Sequence, residues 1–189
     1  MKYIKQHLTI NKFPDELKEA AFTKSKRTWT DVLRIKGPGS SAFLIEILAK
    51  NVYEVRFLMN FILREHSCKY DTTIISKFDK YGAILTKPVK NYEQRLKELT
   101  PDLRSVNAVK VVEKKNTKQF IFLCLADVML TTSKKLEALG YGIESVEIEY
   151  FPKERVVLNK HDRQLCDKFI EVLSCVPHVL SIYDNIHRG

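Results

Sequence analysis

Apolar positions along the chain change their period several times, and each change marks an element. Val55, Leu58, Met59 and Ile62 recur at i, i+3, i+4 and i+7, so residues 52–65 read as an amphipathic helix. Upstream, residues 32–36 read as a short strand and Gly37-Pro38-Gly39-Ser40-Ser41 as a turn. Residues 42–48 then form a mostly apolar strand bounded by that turn chemistry. Residues 74–78 and 81–87 read as two further strands. Lys87-Pro88 interrupts the pattern and marks a domain boundary. Tyr92, Leu96 and Leu99 sit on a short helix that Pro101 is expected to stop. Residues 109–112 and 119–124 form a hairpin around a loop holding Lys114, Lys115 and Asn116. Asp127 is placed to cap a helix with Met129, Thr132, Leu136 and Leu139 on its buried stripe, ended by Gly140.

Val146, Ile148 and Tyr150 alternate with Glu147 and Glu149, the period of a half-buried strand. Residues 156–158 read as a strand, Asn159 as a helix N-cap, and Leu165, Phe169, Val172 and Leu173 as the stripe of that helix. A last strand covers residues 178–183. Near the start, Phe13-Pro14-Asp15-Glu16-Leu17 opens a helix reaching about Lys24, with proline and acids in its first turn. The order implies an α+β chain. A ferredoxin-like split β-α-β central domain comes from residues 35–88 and 154–189, and a second small α/β domain, residues 89–153, is inserted into it. Residues 1–34 form a helical segment ahead of both.

Charge sharpens this picture. The 189 residues carry 32 Lys and Arg against 23 Asp and Glu, a net charge of +9. The excess is front-loaded: Lys24, Lys26, Arg27, Arg34 and Lys36 surround only Asp31, and Lys110, Lys114, Lys115 and Lys118 form a second group. Such patches attract polyphosphate through counterion release and do not read sequence. Nucleic acid or ribosome contact is therefore weighed ahead of a merely solvated face. Trp29 and Tyr81 are aromatic enough to stack on bases, but a lone aromatic beside a basic run reads first as a core anchor. The apolar run 120–126 is too short to span a bilayer.

Little else composes chemistry. Cys68, Cys124, Cys166 and Cys175 contain no C-x-x-C pair, and read as reduced structural thiols. No two histidines are four apart, as H-E-x-x-H requires. Gly39-Ser40-Ser41-Ala42 lacks the second glycine of a nucleophile elbow, and Gly37-Pro38-Gly39 has no P-loop lysine after it. Its amides are still suited to a phosphate, although a tight turn feeding a strand is the plainer reading. Glu46 is an acid set in an apolar strand and reads as outward-facing. No RNA-recognition signature and no helix-turn-helix is visible. The expectation is a non-enzyme without metal or cofactor.

The order of these motifs resembles the YebC family. Phe13-Pro14-Asp15-Glu16-Leu17 with Ala20-Ala21 is similar to the family's proline-led helix. Gly37-Pro38-Gly39-Ser40 with Ala42-Phe43-Leu44-Ile45-Glu46 is similar to its glycine-rich turn and following strand. Asn51 with Glu54-Val55-Arg56 resembles the start of its central helix, and Phe78 with Tyr81-Gly82-Ala83-Ile84 its aromatic strand and turn. Residues 143–153 and 156–159 resemble the segment joining its last strands, and Val179, Ile182, Tyr183 and Asn185 its closing pattern. The likeness runs from about residue 10 to 186. The family's opening glycine-histidine-serine-lysine-tryptophan segment and helical bundle have no counterpart, so residues 1–34 are expected to be a shortened, divergent remnant.

What the resemblance implies is a role without catalysis or cofactor. It implies a mitochondrial translational activator or ribosome-associated factor supporting synthesis of proteins such as cytochrome c oxidase subunit I. Its partners would be the mitochondrial ribosome and rRNA or mRNA. No small-molecule substrate and no membrane span are expected, and the chain is read as a monomer of the matrix, or otherwise of the cytoplasm. Lys24, Lys26, Arg27, Arg34 and Lys36 would grip phosphate, and the turn at Gly37 and Gly39 would let a backbone approach. The competing reading is a DNA-binding regulator, as bacterial relatives are described.

Overall fold

The computed structural model describes residues 2–3 and 29–188. Two-residue alternation in Trp29–Lys36 (β2) puts Leu33 and Ile35 inward and Arg34 and Lys36 outward. The turn folds this strand back on Ala42–Ala49 (β3), pairing them antiparallel from Trp29 opposite Ala49 to Lys36 opposite Ala42. Helix Val52–Glu65 (α1) follows, capped by the Asn51 side chain accepting from the Tyr53 amide at 3.0 Å. Lys69–Tyr70 (β4) then pairs antiparallel with the far side of β2. Since β3 and β4 both run against β2, they are parallel to each other, joined by α1 with β2 between them. That is a split β-α-β unit.

The same sheet is finished from the other end of the chain. Helix Lys160–Cys175 (α4) begins at Asn159, whose Oδ1 accepts from the Asp162 amide at 2.8 Å. It leads to Val179–Asp184 (β9), antiparallel to β3, with Lys2–Tyr3 (β1) beyond it. The sheet order is β1-β9-β3-β2-β4. Its inner face buries Ile35, Phe43, Ile45, Ile47 and Ile182 against Val55 and Met59 of α1 and Phe169 and Leu173 of α4. Each such side chain contributes about 1.5–3 kcal/mol on burial. Phe43 and Phe169 meet edge to face at 5.2 Å.

The second unit runs from Asp79 to Phe151, while the first ends at Phe78 and resumes at Pro152. Its sheet has the order β6-β7-β5-β8, from Phe78–Thr86 (β5), Lys110–Lys114 (β6), Gln119–Leu125 (β7) and Ile143–Pro152 (β8). Helices Tyr92–Ser105 (α2) and Met129–Ala138 (α3) belong to this unit. Phe120, Phe122, Leu136 and Tyr141 lie in its core, and Tyr92 stacks on Phe120 at 5.2 Å. The molecule is α+β.

Several expectations are corrected. The units divide about ten residues before Pro88, because residues 81–86 are central to the second sheet through β7. Residues 74–78 are not a strand: Thr72–Lys77 is a 3-10 segment, nucleated by Asp71 Oδ1 accepting from the Thr73 amide and hydroxyl. Pro101 does not stop its helix. α2 runs through it to Ser105, since Val106 beyond it is buried and the Val106 amide still bonds Asp102 at 3.1 Å. Asp127 lies in a 3-10 turn, with Val128 at the N-cap position. Residues 156–158 shrink to one parallel bridge, Val156 to Ile186, because Asn159 starts α4 at once. The helix expected to reach Lys24 lies outside the described residues.

Candidate nucleic-acid interface

Of the cationic residues singled out in the sequence, Lys24, Lys26 and Arg27 lie outside the described residues. Arg34 and Lys36 are two apart on β2, so both project from the same face of the strand and both are exposed. The structure adds Lys69. In the β2–β4 ladder Lys36 stands directly opposite Lys69. Like charges in that position repel. The carboxylate bearing on both is Asp71. Thr73 hydrogen bonds, first from its side chain and then from its amide, hold the Asp71 carboxyl below the usual carboxylate range, and the two lysines add to this.

Beside these lysines a cleft of about 170 Å³ follows the edge of β2, lined by Val32, Arg34, Arg56, Tyr70, Asp71 and Thr72. Arg56 reaches the Asp31 carboxylate at 3.1 Å, and the Tyr70 hydroxyl donates to the Arg56 carbonyl oxygen at 3.5 Å, its phenol pushed up chiefly by burial. Farther along, Trp29, Lys50, Asn51, Val52, Tyr53 and Arg56 line an open hollow. Trp29 is 58% exposed, so it is not the core anchor expected. Tyr81 is half-buried against Phe151 in the second unit.

The turn has its own reasons for glycine. Gly39 sits at φ +58°, where L side chains are strained, and a Cβ there would meet Asp162 Oδ2 and Leu158 at 2.7 Å. A Cβ on buried Gly37 would collide with Ser41 Oγ and meet the Phe43 ring at 2.7 Å. Both close approaches are made to the chain itself. At Gly39 the neighbour is a carboxylate, which repels phosphate. Arg34, Lys36 and Lys69 gather along one cationic edge of β2 and β4.

Glu46, half-buried, accepts from the Tyr183 hydroxyl at 3.3 Å beside an irregularity in the β3–β9 register. Cys68, Cys124 and Cys166 are buried thiols, and burial pushes Cys68 up to about 12. No group of three metal-ligating side chains occurs among the described residues. No helix is long and apolar enough to cross a membrane among them either.

Sequence reading missed Lys69, whose partner is fixed only by strand register. It also missed the outward face of α1, where Tyr53, Phe57 and Phe61 are exposed. The signal was present, because their i, i+4, i+8 spacing places them together on the side away from Val55 and Met59.

Comparison with known proteins agrees with the fold. The sequence model of the TACO1/YebC second and third domain matches residues 32–186. A curated protein from Rattus norvegicus, "Translational activator of cytochrome c oxidase 1", is 27% identical over 158 residues, covering 80% of this chain and 53% of its own length. The chain thus spans about half the length of that relative. The crystal structure of a conserved hypothetical protein from Aquifex aeolicus superposes with a TM-score of 0.67 at 18% identity, covering 88% of this chain and 68% of that one.

Proposed function

We propose that this chain, which belongs to the YebC family, is a non-enzymatic translation factor that contacts RNA through the cationic edge of β2 and β4. The observation carrying the reading is the cross-strand pair Lys36 and Lys69, with Arg34 beside it on the same strand. Their repulsion costs the fold something, and a phosphate between them relieves it. The relative from Rattus norvegicus supports translation as the process. The same likeness supports a mitochondrial setting, and our reading is a matrix protein acting on the ribosome or on a messenger for an organelle-encoded protein such as cytochrome c oxidase subunit I. An edge of this kind grips backbone phosphates and leaves sequence choice to other contacts.

The test is filter binding of the full chain to labelled single-stranded RNA and to ribosomal RNA across a salt series, with duplex DNA as competitor. Lys36→Gln and Lys69→Gln each lower affinity and flatten the log K against log salt slope by about 1. Unchanged slopes in both variants overturn the site. Preferential binding of duplex DNA returns the family's DNA-regulator reading.

A further inference from the structure

The outward face of α1 carries a pattern separate from the cationic edge. Glu54, Phe57, Phe61 and Arg64 follow spacings of three, four and three residues. These are the spacings of successive a and d positions in a heptad. At 3.6 residues per turn the four fall within an arc of about 80°. Phe57 is 78% exposed and Phe61 68%, with Tyr53 alongside at 84%. The opposite face, Val55, Met59, Ile62 and Leu63, is buried in the core, so the exposed rings are not needed to hold the helix in place.

The stripe is its own complement when reversed. Turned end for end about the level of Met59, Phe57 falls on Phe61, and Glu54 falls on Arg64 with opposite charge. We propose that this face docks on the same face of a second copy of the chain, α1 antiparallel to α1 about a twofold axis. Phe57 packs on the partner's Phe61, and Glu54 pairs with the partner's Arg64. Symmetry makes each contact twice. A parallel pairing sets Glu54 against the partner's Glu54, and Arg64 against the partner's Arg64, and so repels.

Both charges are available for this. Arg64 makes no ion pair among the described residues, and Glu54 uses one oxygen toward Asn51 Nδ2 at 2.9 Å, leaving the other. Three rings of this exposure cover on the order of 500 Å² per copy. With the polar flank, that approaches the roughly 800 Å² per partner of a standard interface. The expected dimer is therefore weak and concentration-dependent. RNA fits this face less well, because Glu54 and Glu65 share it with Arg64 and repel a polyanion.

Sedimentation velocity of the full chain, from low to high micromolar concentration, tests the pairing. The wild type shifts from monomer toward dimer as concentration rises, and Phe57→Ser abolishes the shift. Glu54→Arg and Arg64→Glu each weaken it about tenfold or more. Mixing these two single variants restores pairing as a heterodimer, and combining both changes in one chain restores a homodimer. Far-ultraviolet circular dichroism of each variant reports that the fold is kept, and the mixing result stands on chains already shown to be folded. A monomer at every concentration overturns the proposal. So does a dimer indifferent to Phe57→Ser or to charge reversal, or RNA binding that depends on Phe57 in a chain that stays monomeric.

Discussion

Lys36 and Lys69 face one another across the β2–β4 ladder, and both bear on the Asp71 carboxylate. Removing one cation relieves the repulsion. Lys69→Gln is expected to stabilise the chain by about 0.2–1 kcal/mol while weakening RNA binding. Urea titration and filter binding on the same variant read the two effects. A loss of stability would mean that the pair is held by something other than repulsion eased by Asp71.

Asp71 itself gives the edge a pH signature. Its pKa is lowered from 3.8 on folding. The stability it contributes is present above that ordinary value and is lost as pH falls through the folded one. Acid unfolding of Asp71→Asn should be less steep below about pH 4. Stability measured from pH 6 down to 2 in both proteins checks this.

A second pH effect belongs to the inserted unit. Tyr92 donates to the Glu113 carboxylate, and burial followed by that carboxylate pushes its phenol from 10.0 up to about 12. Folding therefore favours the neutral phenol. Its contribution is complete below pH 10 and is lost as pH climbs toward 12. Tyr92→Phe should flatten the alkaline fall in stability. Absorbance titration of tyrosine ionisation should show the wild type losing one late-titrating group in the variant.

Gly39 is expected to tolerate no side chain. Its φ of +58° and the 2.7 Å approach of a Cβ to Asp162 and Leu158 combine strain with collision. Gly39→Ala should cost more than about 1 kcal/mol and lower the thermal midpoint. Gly39→Ala with Asp162→Ala should recover part of the loss, because one of the two colliding groups is then gone.

Thiol chemistry separates the cysteines. Cys175 is exposed while Cys68, Cys124 and Cys166 are buried, and burial raises all three. Alkylation of the folded chain at neutral pH should label Cys175 first, and the others only after denaturant is added. Mass spectrometry of the labelled peptides reads the order.

Where one period ran unbroken, sequence and structure coincide. The helix expected at residues 52–65 is Val52–Glu65, and Asn159 caps α4 as its spacing suggests. The misses share a cause: local chemistry outvoted by long-range packing. Pro101 reads as a stop, yet buried Val106 beyond it draws α2 onward. Residues 74–78 look β-prone, but Asp71 closes a turn on Thr73 before a strand can begin. Arg34 and Lys36 were legible as cations because charge is a property of the residue. Lys69 was not, because its value comes from standing opposite Lys36 in a register no local pattern reveals. Trp29 failed the same way: its neighbours are Tyr53 and Lys50, some twenty residues on.

The discontinuity of the first unit imposes a timetable on its birth. As the polypeptide emerges, residues 79–151 are complete while their host still lacks the strand hydrogen-bonded to β3. The guest can close before the host does. Until residue 184 leaves the tunnel, the apolar edge of β3 has no neighbour on that side. A stalled or prematurely ended chain would thus present a finished insert on an open, sticky sheet, which is the form a chaperone or protease would meet first.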